Sequence, residues 1–336
     1  MRRKPLERDQ SILKSCQILI VVFLLAQSAD LVLAVEGKIA FTSIRDGEGA
    51  IYIMDGDGGN PFRLTEGTNP SWLPDGRSIG FLYKDSLWVT DLNGATRQNL
   101  TKGRINDISS PAAWSPDGKQ IAFWGDIGGV SGVHTMDADG RGSRLIAEGF
   151  VLHDDTLSWS RDGNRIVGAP VRPIKNGFGS DIVVMNANGV NHNNLTNDLR
   201  ARHINPSWSP NGKYIAYVAS PDPLRWWPPH NIHVMNADGT NPVILTKEDR
   251  WAYEWNPTWS PDSRRIAFAR QTPDGFHDIF TINADGGDVR NITQTHRVSE
   301  GNPAWSPPPL AVFSSGRLVT QWGNLKQGAK LTATAR

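Results

Sequence analysis

One cysteine, Cys16, occurs among 336 residues, so no intramolecular disulfide is available and stability must come from packing. An excess of either charge is missing too: 35 lysines and arginines stand against 34 aspartates and glutamates, scattered along the chain. That distribution leaves no basic footprint for nucleic acid, which is excluded as a partner. G-x-S-x-G, H-E-x-x-H and G-K-[ST] are absent, and with them three common signatures of hydrolases, zinc peptidases and nucleotide-binding loops. No stretch keeps a helical apolar period over about 11 residues, the window an amphipathic helix needs. Tyrosine is scarce, at 5, whereas tryptophan reaches 13, an imbalance that suggests a recurring structural position.

The first 34 residues differ from the rest. Arg2, Arg3, Lys4, Arg8 and Lys14 precede an apolar run over 18–26, the order of a secretory signal. Cleavage is expected after Ala34, with a second small-residue site after Ser28. Gln27 and Asp30 interrupt residues 18–34, which fall short of the roughly 20 apolar residues of a spanning helix. A membrane connection is therefore expected only through an uncleaved N-terminal anchor. Cys16 lies ahead of the apolar run, where a lipoprotein attachment site would not be. The segment carries five basic and three acidic residues, so its removal takes the formal charge from +1 to −1. The expected location is periplasmic or secreted.

What is abundant is a repeat. Trp72, Trp114, Trp159, Trp208, Trp259 and Trp305 open the segments W-L-P-D-G, W-S-P-D-G, W-S-R-D-G, W-S-P-N-G, W-S-P-D-S and W-S-P-P-P, at spacings of 42, 45, 49, 51 and 46. Apolar triplets follow at Ile79, Ile121, Ile166, Ile215 and Ile266, and a sixth copy starts at Ile39. Asp/Asn-Gly turns come next, from Met54, Thr90, Met136, Met185, Met235 and Ile282, each closed by a Leu/Ile-Thr or Leu-Ile pair from Leu64 to Ile292. Both turn types supply the geometry of tight hairpins. Four strands per unit and six units predict an all-β, six-bladed β-propeller. The repeats begin at a second strand, Ile39, and end at a first strand, Trp305, so those two strands are expected to pair and close the ring.

These residues resemble the propeller repeats of the TolB family, in which W-S-P-D-G, K-I-A-F, M-D-A-D-G and R-L-T recur in that order. The resemblance covers residues 37 to 307. TolB itself has an α/β domain before its propeller, whereas here only the signal region precedes Ile39. Similar repeats occur in prolyl oligopeptidase relatives and oligogalacturonate lyases, so the repeat implies a fold rather than an activity. The expected organisation is a signal over 1–34, a propeller over 37–309 and a tail over 310–336, with a strand near Leu318 to Trp322.

Both repeated turns fall on one face. The second-to-third-strand loops and the links between blades share the other, where variable loops favour binding. Blade 5 places Arg225, Trp226, Trp227 and His230 in its loop, and Trp251, Tyr253 and Trp255 follow in the next link, residue types favoured at binding hot spots. Five residues before the six tryptophans stand Gly67, Ser109, Asp154, His203, Glu254 and Glu300, expected as a polar, mostly acidic channel mouth that suits a cation, a basic peptide or a sugar. His153, His203, His230, His277 and His296 share that side, which leaves a metal-assisted lyase as the enzymatic alternative and a carbohydrate-binding module as a third. The Asp/Asn-Gly turns offer too few carboxylates for calcium. The N-x-T sites at Asn99, Asn194 and Asn291 arise from one repeat position. The reading is a non-catalytic scaffold for a protein or peptide, with no cofactor and no metal site.

Overall fold

The computed structural model describes residues 37–102, 105, 107–108, 110–148, 156–174, 177–197, 201–221, 230–246, 253–307, 311–312 and 318–319. The segment expected to be a signal, residues 1–34, lies outside them. Among the described residues there is no helix long and apolar enough to cross a membrane.

Six antiparallel sheets form the blades, numbered here from the one that holds the first described strand. Blade 1 joins Glu300–Trp305 to Lys38–Ser43, Ala50–Asp55 and Phe62–Glu66. Blade 2 holds Thr68–Trp72, Ser78–Tyr83, Ser86–Asp91 and Arg97–Asn99. In blade 3 the first strand is split into Asp107–Ile108 and Ala113–Trp114, ahead of Gln120–Ile127, Val130–Asp137 and Arg144–Glu148. Blade 4 contains Ser158–Trp159, Arg165–Gly168, Val183–Asn186 and Asn193–Asn194. Blade 5 is built from Arg202–Trp208, Tyr214–Ser220, Asn231–Asn236 and Val243–Ile244, and blade 6 from Glu254–Trp259, Arg265–Gln271, His277–Asn283 and Arg290–Asn291. The first strands touch one another in cyclic order and so surround the axis. Ile39 pairs with Trp305 and Ser43 with Glu300, which is the expected closure.

One element goes beyond the four-strand unit. The long second-to-third-strand connection of blade 4 forms a hairpin, Val171–Ile174 with Gly177–Ser180, and Ser180 pairs in parallel with Arg202 of blade 5. The chain beyond the ring contributes a short pair, Ala311–Val312 with Leu318–Val319.

Each second strand is buried on both faces, because a blade packs against a neighbour on either side. Phe41, Phe81, Phe123 and Phe268 are fully buried. The apolar residues fall into six clusters, one in each seam between blades; the seam of blades 5 and 6, for example, holds Ile204, Val218 and Ile232 against Trp259, Ile266 and Phe268. The repeated tryptophans bridge these seams, with Nε1 of Trp72, Trp159 and Trp259 donating to the carbonyls of Ala304, Ala113 and Ser207 at 3.0, 2.9 and 3.0 Å. A ring can thus dispense with disulfides, since every apolar face has a partner.

The other repeat residues are local fasteners. In the W-S-P-D-G turn the serine hydroxyl donates to the Asp or Asn two residues on, as in Ser115–Asp117 at 2.7 Å and Ser260–Asp262 at 2.6 Å, while accepting the amide five residues on. Blade 6 has Ser263 where four other copies have glycine, at φ 61°, and its hydroxyl accepts the Asn211 amide of blade 5 at 3.0 Å. The threonine of the closing Leu/Ile-Thr pair accepts an amide at or near the start of the third strand in Leu87–Thr101, Ile182–Thr196, Ile232–Thr246 and Ile279–Thr293. Asn99, Asn194 and Asn291 accept the amide of that threonine, so the N-x-T pattern is a turn device.

Candidate functional site

The site is best built on the face opposite the repeated turns, at the start of the first strands. Three of the six positions ahead of the tryptophans are described there with their partners. Glu254 is fully buried; its Oε1 accepts Arg270 Nε at 2.8 Å and its Oε2 accepts the Ile232 amide at 3.0 Å and the Thr246 hydroxyl. Glu300, 2% exposed, takes the Arg45 guanidinium on Oε1. His203 lies with Nδ1 3.8 Å from Asp181 Oδ1. Burial pushes the Glu254 and Glu300 carboxyls above the usual range, against the pull of their arginines. The expected acidic mouth is therefore, at these positions, a pair of buried carboxylates each held by an arginine of its own blade, with Glu254 also tied to blade 5 through Ile232 and Thr246. Gly67 has a φ of 134° and carries no side chain to offer. Asp154 and Ser109 lie outside the described residues.

Four aromatic side chains form a continuous row across blades 5 and 6. His230 meets Tyr253 at 4.3 Å between ring centroids, Tyr253 meets Trp255 at 5.3 Å, and Trp255 meets His277 edge-on at 4.5 Å. His277 Nδ1 in turn lies 3.1 Å from the Ser299 hydroxyl of the following link. Tyr253, Trp255 and His277 are partly exposed, while His230 is buried beneath them. Desolvation, with Arg202 nearby, lowers the His230 pKa to about 4, so its imidazole is neutral at physiological pH. His233 is lowered to about 4 by burial and by His203. The structure thus gathers His230, Tyr253 and Trp255 as the sequence suggested. Arg225, Trp226, Trp227 and Trp251, expected beside them, lie outside the described residues.

The histidines go to separate tasks. His203 and His233 both contact Tyr217, whereas His230 and His277 belong to the aromatic row. Among the described residues no three of His, Cys, Asp or Glu are grouped so as to hold a metal ion. His153 lies outside them.

Toward the W-S-P-D-G face the axis opens into a cavity of about 300 Å³ lined by the W-S-P prolines and tryptophan edges, with Asn256 and Asn302 higher in the wall. Sequence reasoning missed its main feature. Asn69, Asn205, Asn256 and Asn302 each precede a proline and sit at φ 51–55°, where the first strand bulges against the second. The turned backbone aims neighbouring asparagines at one another: Asn302 donates to Asn69, and the Asn256 amide donates to Asn205 Oδ1 at 3.4 Å. The signal was legible as N-P-x-W in four copies, three residues before the tryptophans used to count blades.

Comparison with known proteins agrees with this architecture. Residues 83–225 match the TolB beta propeller domain. Curated relatives include the Tol-Pal system protein TolB of Francisella tularensis, 28% identical over 68% of this chain and 49% of that protein. The uncharacterized protein Atu1656 of Agrobacterium fabrum is 24% identical over 71% of this chain and 80% of its own length. The uncharacterized peptidase YuxL of Bacillus subtilis is 25% identical over 55% of this chain and 27% of its own length. The chain thus spans about half of that TolB and about a quarter of that peptidase. Among solved structures, TolB from Acinetobacter baumannii superposes with a TM-score of 0.68 at 20% identity, covering 81% of this chain and 67% of that one. An oligogalacturonate lyase from Vibrio parahaemolyticus gives 0.52 at 11% identity, covering 76% and 74%. At these identities the structural likeness is one of fold.

Proposed function

Starting from a chain that carries a TolB-like six-bladed β-propeller, we propose that it is a non-catalytic scaffold which binds a protein or peptide in the periplasm, cell envelope or exterior. The supporting observation is the row Tyr253–Trp255–His277, partly exposed on the face that carries the irregular loops. Aromatic rings fixed by their neighbours lose little entropy on binding and bury large area, which makes them efficient anchors. The buried carboxylates beneath are committed to arginines, so they serve the ring and leave recognition to the rim. The basic and apolar order of residues 1–34 supports export, and the likeness to TolB supports an envelope setting.

The test is affinity capture from envelope extract with the intact protein and with a Tyr253→Ala/Trp255→Ala variant of unchanged thermal stability. The proposal expects a partner at near-stoichiometric yield that the variant loses, since an aromatic hot spot carries about 2 kcal/mol or more, some 30-fold in affinity. Retention of that partner by the variant would place recognition elsewhere. Failure of the intact protein to enrich any partner would count against a scaffold altogether.

A further inference from the structure

The seam between blades 5 and 6 buries polar groups that it leaves unmatched, next to an arginine exposed at its rim. On the face of blade 5 that packs against blade 6, Ile204, Val218 and Ile232 form one row. One pair further toward the irregular loops, Arg202 is in register with Ser220. Ser220 lies one step beyond the Ala219–Asn231 pair, which puts it opposite His230. Residues opposite one another on adjacent strands point to the same side, so Arg202, Ser220 and His230 form the next row in that seam. Contact of His230 with Tyr253 of blade 6 agrees with this placement.

From blade 6 the seam receives Arg270 and Glu254, paired at 2.6 Å. In the seam of blades 6 and 1, Glu300 likewise answers Arg45. Among the described residues, the seam of blades 5 and 6 adds a second guanidinium at its exposed rim, Arg202, which has no acidic partner there. Beside it, the Ser220 hydroxyl and both ring nitrogens of His230 are buried with no hydrogen-bond partner, and the two residues are 0% and 2% exposed. Buried polar groups left unmatched are costly, and in native structures they call for an explanation.

We propose that this seam seats a carboxylate presented by a peptide partner, held by Arg202, Ser220 and His230 and flanked by the Tyr253 ring. A carboxylate accepts from a guanidinium, a hydroxyl and a neutral imidazole N–H at once, which matches the three donors. Seating it requires Tyr253 to swing away from His230. The inference rests on the scaffold reading above and reverses one expectation of the sequence: the recognised peptide is acidic, because Glu254 and Glu300 of the mouth are already answered by Arg270 and Arg45.

Three capped probes test it on the intact protein: N-acetyl-tyrosine, which presents a terminal carboxylate, N-acetyl-aspartyl-tyrosinamide, which presents a side-chain carboxylate, and neutral N-acetyl-asparaginyl-tyrosinamide. Binding is followed by the imidazole proton–carbon resonances, with His230 assigned through His230→Gln. Saturable movement of the His230 signal by one or both acidic probes is expected, and the stronger of the two identifies the source of the carboxylate. Arg202→Gln should weaken that binding at least tenfold, and Ser220→Ala, which removes only an unpartnered hydroxyl, should weaken it without lowering stability. Equal response to the neutral probe, unchanged affinity in Arg202→Gln, or no movement up to the probes' solubility limit would overturn the proposal, the last assigning the donors to an internal water. Tighter binding of a free uronic acid than of either acidic probe would also overturn it, in favour of a sugar ligand. Probe binding is independent of partner capture, so a carboxylate site without a captured partner would sink the scaffold reading alone, and a captured partner with silent probes would sink only this one.

Discussion

Substituting Gly140 by alanine, with Gly286→Ala as its control, separates two reasons why the Asp/Asn-Gly turns end in glycine. Both residues sit in the left-handed region, at φ 81° and 90°. A Cβ on Gly140 would stand 2.0 Å from the Leu100 carbonyl oxygen of the neighbouring blade, whereas on Gly286 its nearest neighbour, the Leu245 carbonyl oxygen, is 3.6 Å away. Each alanine pays about 1–2 kcal/mol for its backbone angle. Each also gains about 0.4–1 kcal/mol by restricting the unfolded chain, a term that cancels in the comparison. Gly140→Ala alone must push two blades apart, an overpacking cost of about 1–3 kcal/mol. Urea unfolding followed by tryptophan fluorescence should therefore show Gly140→Ala less stable than Gly286→Ala by about 2 kcal/mol at equal slope. Equal losses would mean that the turns do not press on the adjacent blade and that the seams are looser than described. Gly189→Ala, with a Cβ 2.1 Å from the Ile146 oxygen, should repeat the larger loss.

Arg270→Met should cost about 3–5 kcal/mol by stranding the buried Glu254 carboxylate, and adding Glu254→Gln should recover much of that loss, which a double-mutant cycle of denaturation midpoints measures. Acidification should destabilise the ring in a defined window. His230 and His233 have folded pKa values of about 4, below the usual 6.5, so their contribution is complete above pH 6.5 and is lost as pH falls toward 4. For His230 the shift corresponds to at most about 3 kcal/mol. Glu254 and Glu300 act in the opposite sense, because raised carboxyl pKa values favour the folded state at low pH and lose that effect as pH rises. Replacing His230 by glutamine should thus flatten stability between pH 6.5 and 4 in thermal melts, and an unchanged slope would contradict the assignment.

The ring was legible because one residue type recurs for one reason. Each tryptophan fills the corresponding seam of its own blade and marks the corresponding hairpin, so spacing alone counts the blades and locates the closure of Ile39 on Trp305. The site was legible only in part. Tyr253, Trp255 and His230 stand together as their clustering in sequence suggested, since loop and link meet on the same face. The character of Glu254 and Glu300 was not legible, because charge state depends on partners the sequence does not place beside them. Arg270 reaches Glu254 from across a strand pair, and Arg45 reaches Glu300 across the closure of the ring. The asparagine bulges were overlooked for a simpler reason: Asn-Pro reads as a turn, and only the register against the second strand shows it to be a kink inside the innermost strand.

The central claim is that recognition belongs to the face opposite the repeated turns. Site-specific photo-crosslinking in the native extract tests it most directly, with the crosslinker placed in turn at Trp255 and at Lys119, an exposed residue directly after a W-S-P-D-G segment. The account predicts a partner adduct from position 255 and none from position 119. An adduct from position 119 with position 255 silent would contradict it.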